Sequence, residues 1–124
     1  MFLLDTHILL WWLSDDKRLS SKVRLLIRNR NNLIYVSAAS VWEIAIKSAL
    51  GKLKVSENFT SVINEQGFEN LDVTVEHAWG VSGLPRIHND PFDRLLVSQA
   101  MSEGLTLITH DLRLSDYGAP CLTV

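Results

Sequence analysis

Three very short apolar runs, Phe2-Leu3-Leu4, Leu33-Ile34-Tyr35-Val36 and Leu105 to Ile108, are separated by segments whose apolar residues recur at helical spacing. Runs of three or four apolar residues suit strands buried on both faces, the situation of a parallel sheet. Parallel neighbours need a crossover connection, usually a helix. The alternation therefore predicts an α/β domain with a mainly parallel central sheet. Helices are expected over Ile8–Leu13, after a cap at Ser20 or Ser21 with Val23, Leu26 and Ile27 inward, and over Ala38–Leu50 with Gly51 as its stop. In the third of these, Val41, Ile44, Ala45, Ser48 and Ala49 form the expected inner face. Ser56 is the expected cap of a helix carrying Phe59, Val62 and Ile63. Leu71-Asp72-Val73 reads as an edge strand, Val75–Val81 as a helix, and Leu122-Thr123-Val124 as a last strand. Gly83-Leu84-Pro85 breaks the chain before a strong helix that begins at Asp90-Pro91 and stops at Gly104.

At 124 residues the chain suits one domain, 1–124, large enough to bury about two-thirds of its unfolded surface. Its longest apolar run, Ile8 to Leu13, is far short of the roughly 20 residues a bilayer needs, and Asp5 interrupts the start in a way a secretory signal does not. One cysteine, Cys121, forms no internal disulfide, and a cytoplasmic location is expected. Net charge is −2, so the whole molecule is not a basic nucleic-acid binder. Lys17, Arg18, Lys22, Arg24, Arg28 and Arg30 nevertheless fall in one stretch free of acids. They either attract phosphates or form a solvated helix face.

Four of the 14 acids occupy special places. Asp5 follows the first strand, Glu43 lies early in the helix after the second, Asp93 opens the helix after the Gly83–Pro91 break, and Asp111 follows the third strand. In an open parallel sheet, strand ends and the helix starts that follow them share one edge, where ligands bind. Carboxylates gathered about 4 Å apart repel by roughly 4 kcal/mol at an effective dielectric near 20. They coexist only if some hold protons or a cation sits between them. Oxygen donors without cysteine favour Mg²⁺ or Mn²⁺ over zinc, and such an ion suits phosphodiester hydrolysis.

Each acid also has a structural explanation. Asp5 can cap the following helix, and Asp90 at N-cap with Pro91 at N1 obeys the rules for a helix start. Glu43 completes an S-x-x-E capping box with Ser40 and an i,i+4 pair with Lys47. Asp116 shares the loop after the third strand and is the alternative to Asp111. His7, His77, His88 and His110 lack the spacing of a zinc site; His7 and His110 lie close to proposed ligands. Trp11 and Trp12 can stack bases, but suit a core and a partner contact better. Arg86, Arg94 and Arg113 flank the expected cleft and can hold an RNA backbone, although Arg94 can equally pair with an acid.

Five pieces in order carry a resemblance: Leu3-Leu4-Asp5-Thr6-His7 with Leu10-Trp11-Trp12; SAASVWEIAIK from Ser37; Leu50-Gly51-Lys52-Leu53; HNDPFDRLLVSQA from His88; and LTLITHD from Leu105. Across nearly the whole chain these pieces resemble the PIN-domain family, and within it the VapC-type toxins of type II toxin–antitoxin systems. The resemblance implies a three-layer α/β/α domain and a Mg²⁺- or Mn²⁺-dependent endoribonuclease. Asp5, Glu43, Asp93 and Asp111 match its metal-binding acids, with Asp111 the least uniform. Thr109 matches the small polar residue beside the last acid, and Thr6, Arg94 and His110 are expected in support or beside the substrate. A homodimer and a small antitoxin are implied, the Trp42–Ile46 region and the tryptophans of the first helix offering it an apolar groove. The other class of function is a non-catalytic RNA- or protein-binding module on the same fold, which would gain nothing from clustered like charges. A phosphoacceptor or phosphatase reading fits poorly, since Asp5-Thr6-His7 lacks the second aspartate of a D-x-D nucleophile.

Overall fold

The computed structural model describes residues 1–124. Its sheet has five strands, β1 (Phe2–Leu4), β2 (Ile34–Ser37), β3 (Glu69–Leu71), β4 (Thr106–Thr109) and β5 (Cys121–Thr123), in the order β3-β2-β1-β4-β5. Every neighbouring pair is parallel. The helices are α1 (Thr6–Leu13), α2 (Ser21–Arg28), α3 (Ala38–Ala49), α4 (Phe59–Glu65), α5 (Val75–Gly80) and α6 (Pro91–Glu103), with 3-10 turns at Val81–Gly83 and Leu112–Tyr117.

Alternation along the strands builds the layers. Leu4, Ile34, Val36 and Ile108 pack with Ile8, Leu9 and Trp11 of α1, Val23 and Ile27 of α2, Ile44 of α3 and Ile63 of α4. Leu3 and Leu107 pack with Leu96, Val97 and Ala100 of α6 and with Leu114 and Tyr117. Helices on both faces make the expected α/β/α sandwich. The chain lays strands outward from β1 to β3, then crosses back to place β4 on the other side of β1. Strand order reverses between β1 and β4, and the connections leaving their C-terminal ends diverge to open a crevice there.

Several expectations need correction. The edge strand lies two residues earlier than the apolar run Leu71–Val73, because an edge strand pairs through its backbone and β3 exposes Glu69 and Asn70. The buried residues of α3 are Ala39, Ser40, Glu43 and Ile44, whereas Ala45 and Ala49 face solvent. Two polar residues take inward positions because each finds a partner there, which a count of apolar residues does not register. The S-x-x-E capping box does not form. Ser37 caps α3, its hydroxyl accepting from the Ala39 N–H at 3.0 Å. Nor does Ser56 cap α4; the N-cap is Asn58, whose side chain makes no capping bond. Trp11 is buried and Trp12 half-buried, with its indole N–H donating to Gln66 Oε1 at 3.0 Å, so α1 offers no exposed tryptophan face. No helix is long and apolar enough to cross a membrane.

Candidate active site

Asp5 ends β1 and caps α1. Its Oδ1 accepts from the Ile8 N–H at 2.9 Å, so the structural explanation for this acid is correct. Its Oδ2 faces the other way and accepts from the hydroxyl of Thr109, the last residue of β4. The same hydroxyl oxygen accepts from the Asp111 N–H at 3.0 Å. One buried threonine thus ties the ends of the two central strands together and aims both carboxylates at the crevice between them.

The crevice is a cleft of about 650 Å³ lined by Asp5, Asp90, Asp93 and Asp111, with His88 among them and with His7, Arg18, His110 and Arg113 also in its wall. Asp90 caps α6, its Oδ1 accepting from the Phe92 and Asp93 N–H groups at 2.8 and 3.1 Å. Asp93, one turn in, accepts no hydrogen bond on its carboxylate; His88 Nε2 stands 3.3 Å from its Oδ2. Burial first, then the carboxylates of Asp90, Asp5, Glu43 and Asp111, push the Asp93 carboxyl up to about 7. Burial also raises Asp5, opposed chiefly by the Thr109 bond. Asp111 behaves oppositely: Arg113 grips it and holds it well below the usual carboxylate range. Asp116 is exposed in the Leu112–Tyr117 turn and does not line the cleft.

Glu43 is buried behind this cleft rather than in its wall. The Thr6 hydroxyl donates to its Oε1 at 2.7 Å, with Ser40 Oγ 3.1 Å from Thr6, and Lys47 holds its Oε2 at 2.7 Å. The expected i,i+4 pair is therefore present, and both oxygens are engaged. Thr6 accordingly supports Glu43 and does not reach the cleft. Arg94 pairs with no acid; it donates to the His88 carbonyl at 3.4 Å and so braces the segment that carries His88. Its guanidinium also donates to the carbonyls of Pro85 at 2.8 Å and Val81 at 3.2 Å, adding second bonds to carbonyls that accept from the Ile87 and Leu84 N–H groups. His110 sits at the rim, its ring edge-on to Trp11 with centroids 5.0 Å apart.

Two cations of the basic stretch are already matched. Arg18 forks onto Asp16 and lies 4.7 Å over the Trp11 ring, and Arg24 pairs with Asp15. The acids sit just outside the stretch in sequence, yet they face it.

Residues 2–120 match the PIN domain family model. The chain belongs to the PIN-domain family. Ribonuclease VapC22 of Mycobacterium tuberculosis is 28% identical over 121 residues, 95% of this chain and 92% of that protein. Among solved structures, a chain of the DNA-bound VapBC2 complex of Rickettsia felis superposes with a TM-score of 0.74 at 19% identity, covering 98% of this chain and 97% of that one. A toxin–antitoxin complex from Klebsiella pneumoniae gives 0.71 at 16%, covering 99% and 97%.

In this PIN domain the residue that sequence reasoning missed is His88. Its Nε2 lies 2.9 Å from Asp111 Oδ2, and the ligand atoms of His88, Asp93 and Asp111 all fall within 4.8 Å of one another. Spacing could not reveal this, because the histidine reaches Asp111 across 23 residues. The trio looks like a mixed metal site, but the other ring nitrogen speaks against it. His88 Nδ1 accepts from the Asp90 N–H at 2.9 Å, so the ring proton is on Nε2. A neutral imidazole that ligates through Nε2 carries its proton on Nδ1, where it would here confront that N–H. As placed, His88 donates a hydrogen bond to Asp111, and the ligand atoms left at this point are the carboxylate oxygens. A buried and a half-buried carboxylate, Asp5 and Asp93, crowded by other acids and ion-paired to no lysine or arginine, fit a hard divalent ion.

Proposed function

We propose that this PIN domain, as a single domain over 1–124, is a metal-dependent endoribonuclease and the toxin half of a toxin–antitoxin pair. The observation that carries the reading is the convergence of Asp5, Asp93 and Asp111 at the β1/β4 switch point, with Asp5 and Asp93 both pushed towards holding protons. A non-catalytic module has no use for that cost. The name of the M. tuberculosis relative supports ribonuclease activity, and the solved toxin–antitoxin complexes support an antitoxin partner.

In this reading Asp5, Asp93 and Asp111 hold Mg²⁺ or Mn²⁺, and Glu43 lies behind them as a fixed negative charge. A divalent ion so held lowers the pKa of bound water and offsets charge on the phosphate. Thr109 keeps Asp5 and Asp111 aimed at the shared position. His88 steadies the Asp111 carboxylate through its N–H and stands beside Asp93. His7, Arg18 and His110 line the cleft where an RNA phosphate would approach, and Trp11, buried beneath Arg18, shapes the wall rather than stacking a base. The exposed side of α3 and the residue that caps its end, with Trp42 60% and Leu50 64% exposed, offer the antitoxin an apolar surface. A homodimer and a cytoplasmic location complete the reading.

The test is cleavage of an oligoribonucleotide in EDTA and after adding Mn²⁺, for the wild type and Asp5→Asn. Asparagine caps helices as well as aspartate, so α1 should survive the change. Mn²⁺-dependent cleavage is expected of the wild type and should be lost, by 10²-fold or more, in Asp5→Asn. Equal cleavage by the two proteins would sink the assignment.

A further inference from the structure

The cleft's negative charge is not uniformly unopposed, and the exception has a particular geometry. Arg113 donates from Nε to Asp111 Oδ1 at 3.0 Å and from Nη2 to Oδ2 at 2.8 Å, a two-pronged grip on one carboxylate. His88 Nε2 approaches the same Oδ2 at 2.9 Å. His88 Nε2 and Arg113 Nη2 are also 2.9 Å apart, and since both carry protons this contact is no hydrogen bond. Two donors converge on one oxygen, as they would around an atom whose proper partner is a cation. Both oxygens of Asp111 are consequently occupied, while Asp93 opposite has only a 3.3 Å neighbour. Arg113 itself is solvent-exposed along most of its side chain, so nothing but Asp111 fixes it.

We propose that Arg113 is a built-in counter-ion that holds Asp111 in the metal-free protein, yields it to the metal, and then turns to the RNA phosphate. This rests on the metal-dependent reading above. A guanidinium and a divalent ion cannot both take the Asp111 oxygens that face the cleft. The released guanidinium is anchored one residue from Leu112 at the mouth of the cleft, within reach of any phosphate drawn to the metal, and its planar fork matches a phosphate as well as a carboxylate.

Arg113→Gln removes the competitor without touching the core. Arg86→Gln removes the same charge from an exposed residue outside the cleft and controls for long-range attraction. Mn²⁺ binding, followed by the loss of the free-ion electron paramagnetic resonance signal, should be two- to fivefold tighter in Arg113→Gln than in Arg86→Gln, the range of an exposed ion pair. Arg113→Lys, with charge but no fork, should fall between wild type and Arg113→Gln. In cleavage assays Arg113→Gln should raise KM for an oligoribonucleotide, with a salt dependence shallower by about 0.7 in log–log slope, one phosphate contact fewer. Equal Mn²⁺ affinity in the Arg113 and Arg86 variants overturns the competition, and an unchanged KM overturns the hand-over to phosphate. If no variant, nor the wild type, binds Mn²⁺, the metal reading itself fails and takes this inference with it.

Discussion

At the scale of single residues, Thr109 shows how much of the site depends on one hydroxyl. It donates to Asp5, accepts from the Asp111 N–H, and is fully buried. Thr109→Val keeps the shape and deletes both bonds, leaving a buried carboxylate short of a donor. The expected cost is about 1–3 kcal/mol in urea unfolding of the metal-free protein, with most of it recovered in Thr109→Ser. A valine variant as stable as the wild type would show that Asp5 is satisfied without it. The placement of Asp5, Asp93 and Asp111 was legible in the sequence because each adjoins a strand end or helix start, and such positions share an edge in a parallel sheet. His88 and the sealing of Glu43 by Thr6 were not legible. Both depend on groups 23 and 37 residues away, a distance at which spacing carries no information.

Among the elements, strands and helices were readable where burial alone decides them, as in β1, α2 and α6. Reading failed where polar partners or backbone pairing decide, as in the inner face of α3 and the position of β3. The α5–α6 contact is a case that no sequence rule marks. A Cβ on Gly80 would stand 2.6 Å from Ser98 Oγ, and that hydroxyl donates to the His77 carbonyl at 2.7 Å. Gly80 is thus small because α6 approaches it, not because its backbone needs freedom. Gly80→Ala should destabilise by about 1–3 kcal/mol through overpacking, despite alanine's advantage in a helix. In a Ser98→Ala background the obstructing oxygen is gone, and the same change should become neutral or stabilising by up to about 1 kcal/mol. Equal effects in both backgrounds, measured as a double-mutant cycle, would place the crowding elsewhere.

For the molecule as a whole, the same carboxylates that make the cleft chemically useful should set how stability responds to pH. Folding raises Asp93 from the ordinary 3.8 to about 7, so between those values the folded chain keeps a proton that the unfolded chain has released. Stability therefore falls as pH climbs through that window. Asp5 shifts in the same direction, while Asp111, held low by Arg113, contributes stability that is lost only when pH falls below the ordinary carboxylate range. At about 1.4 kcal/mol per pH unit, Asp93 alone costs roughly 4 kcal/mol once it is ionised, a large share of a typical domain's 5–15 kcal/mol. In EDTA, the wild-type Tm should drop by on the order of 10 °C between pH 5 and pH 8 relative to Asp93→Asn, which has no charge to bury. Saturating Mn²⁺ should reverse the trend, because the ion favours ionised ligands and binds more tightly as pH rises. Parallel melting curves for wild type and Asp93→Asn in EDTA would mean that the buried carboxylate is balanced by the protein itself, and that the cleft has no unmet demand for a cation.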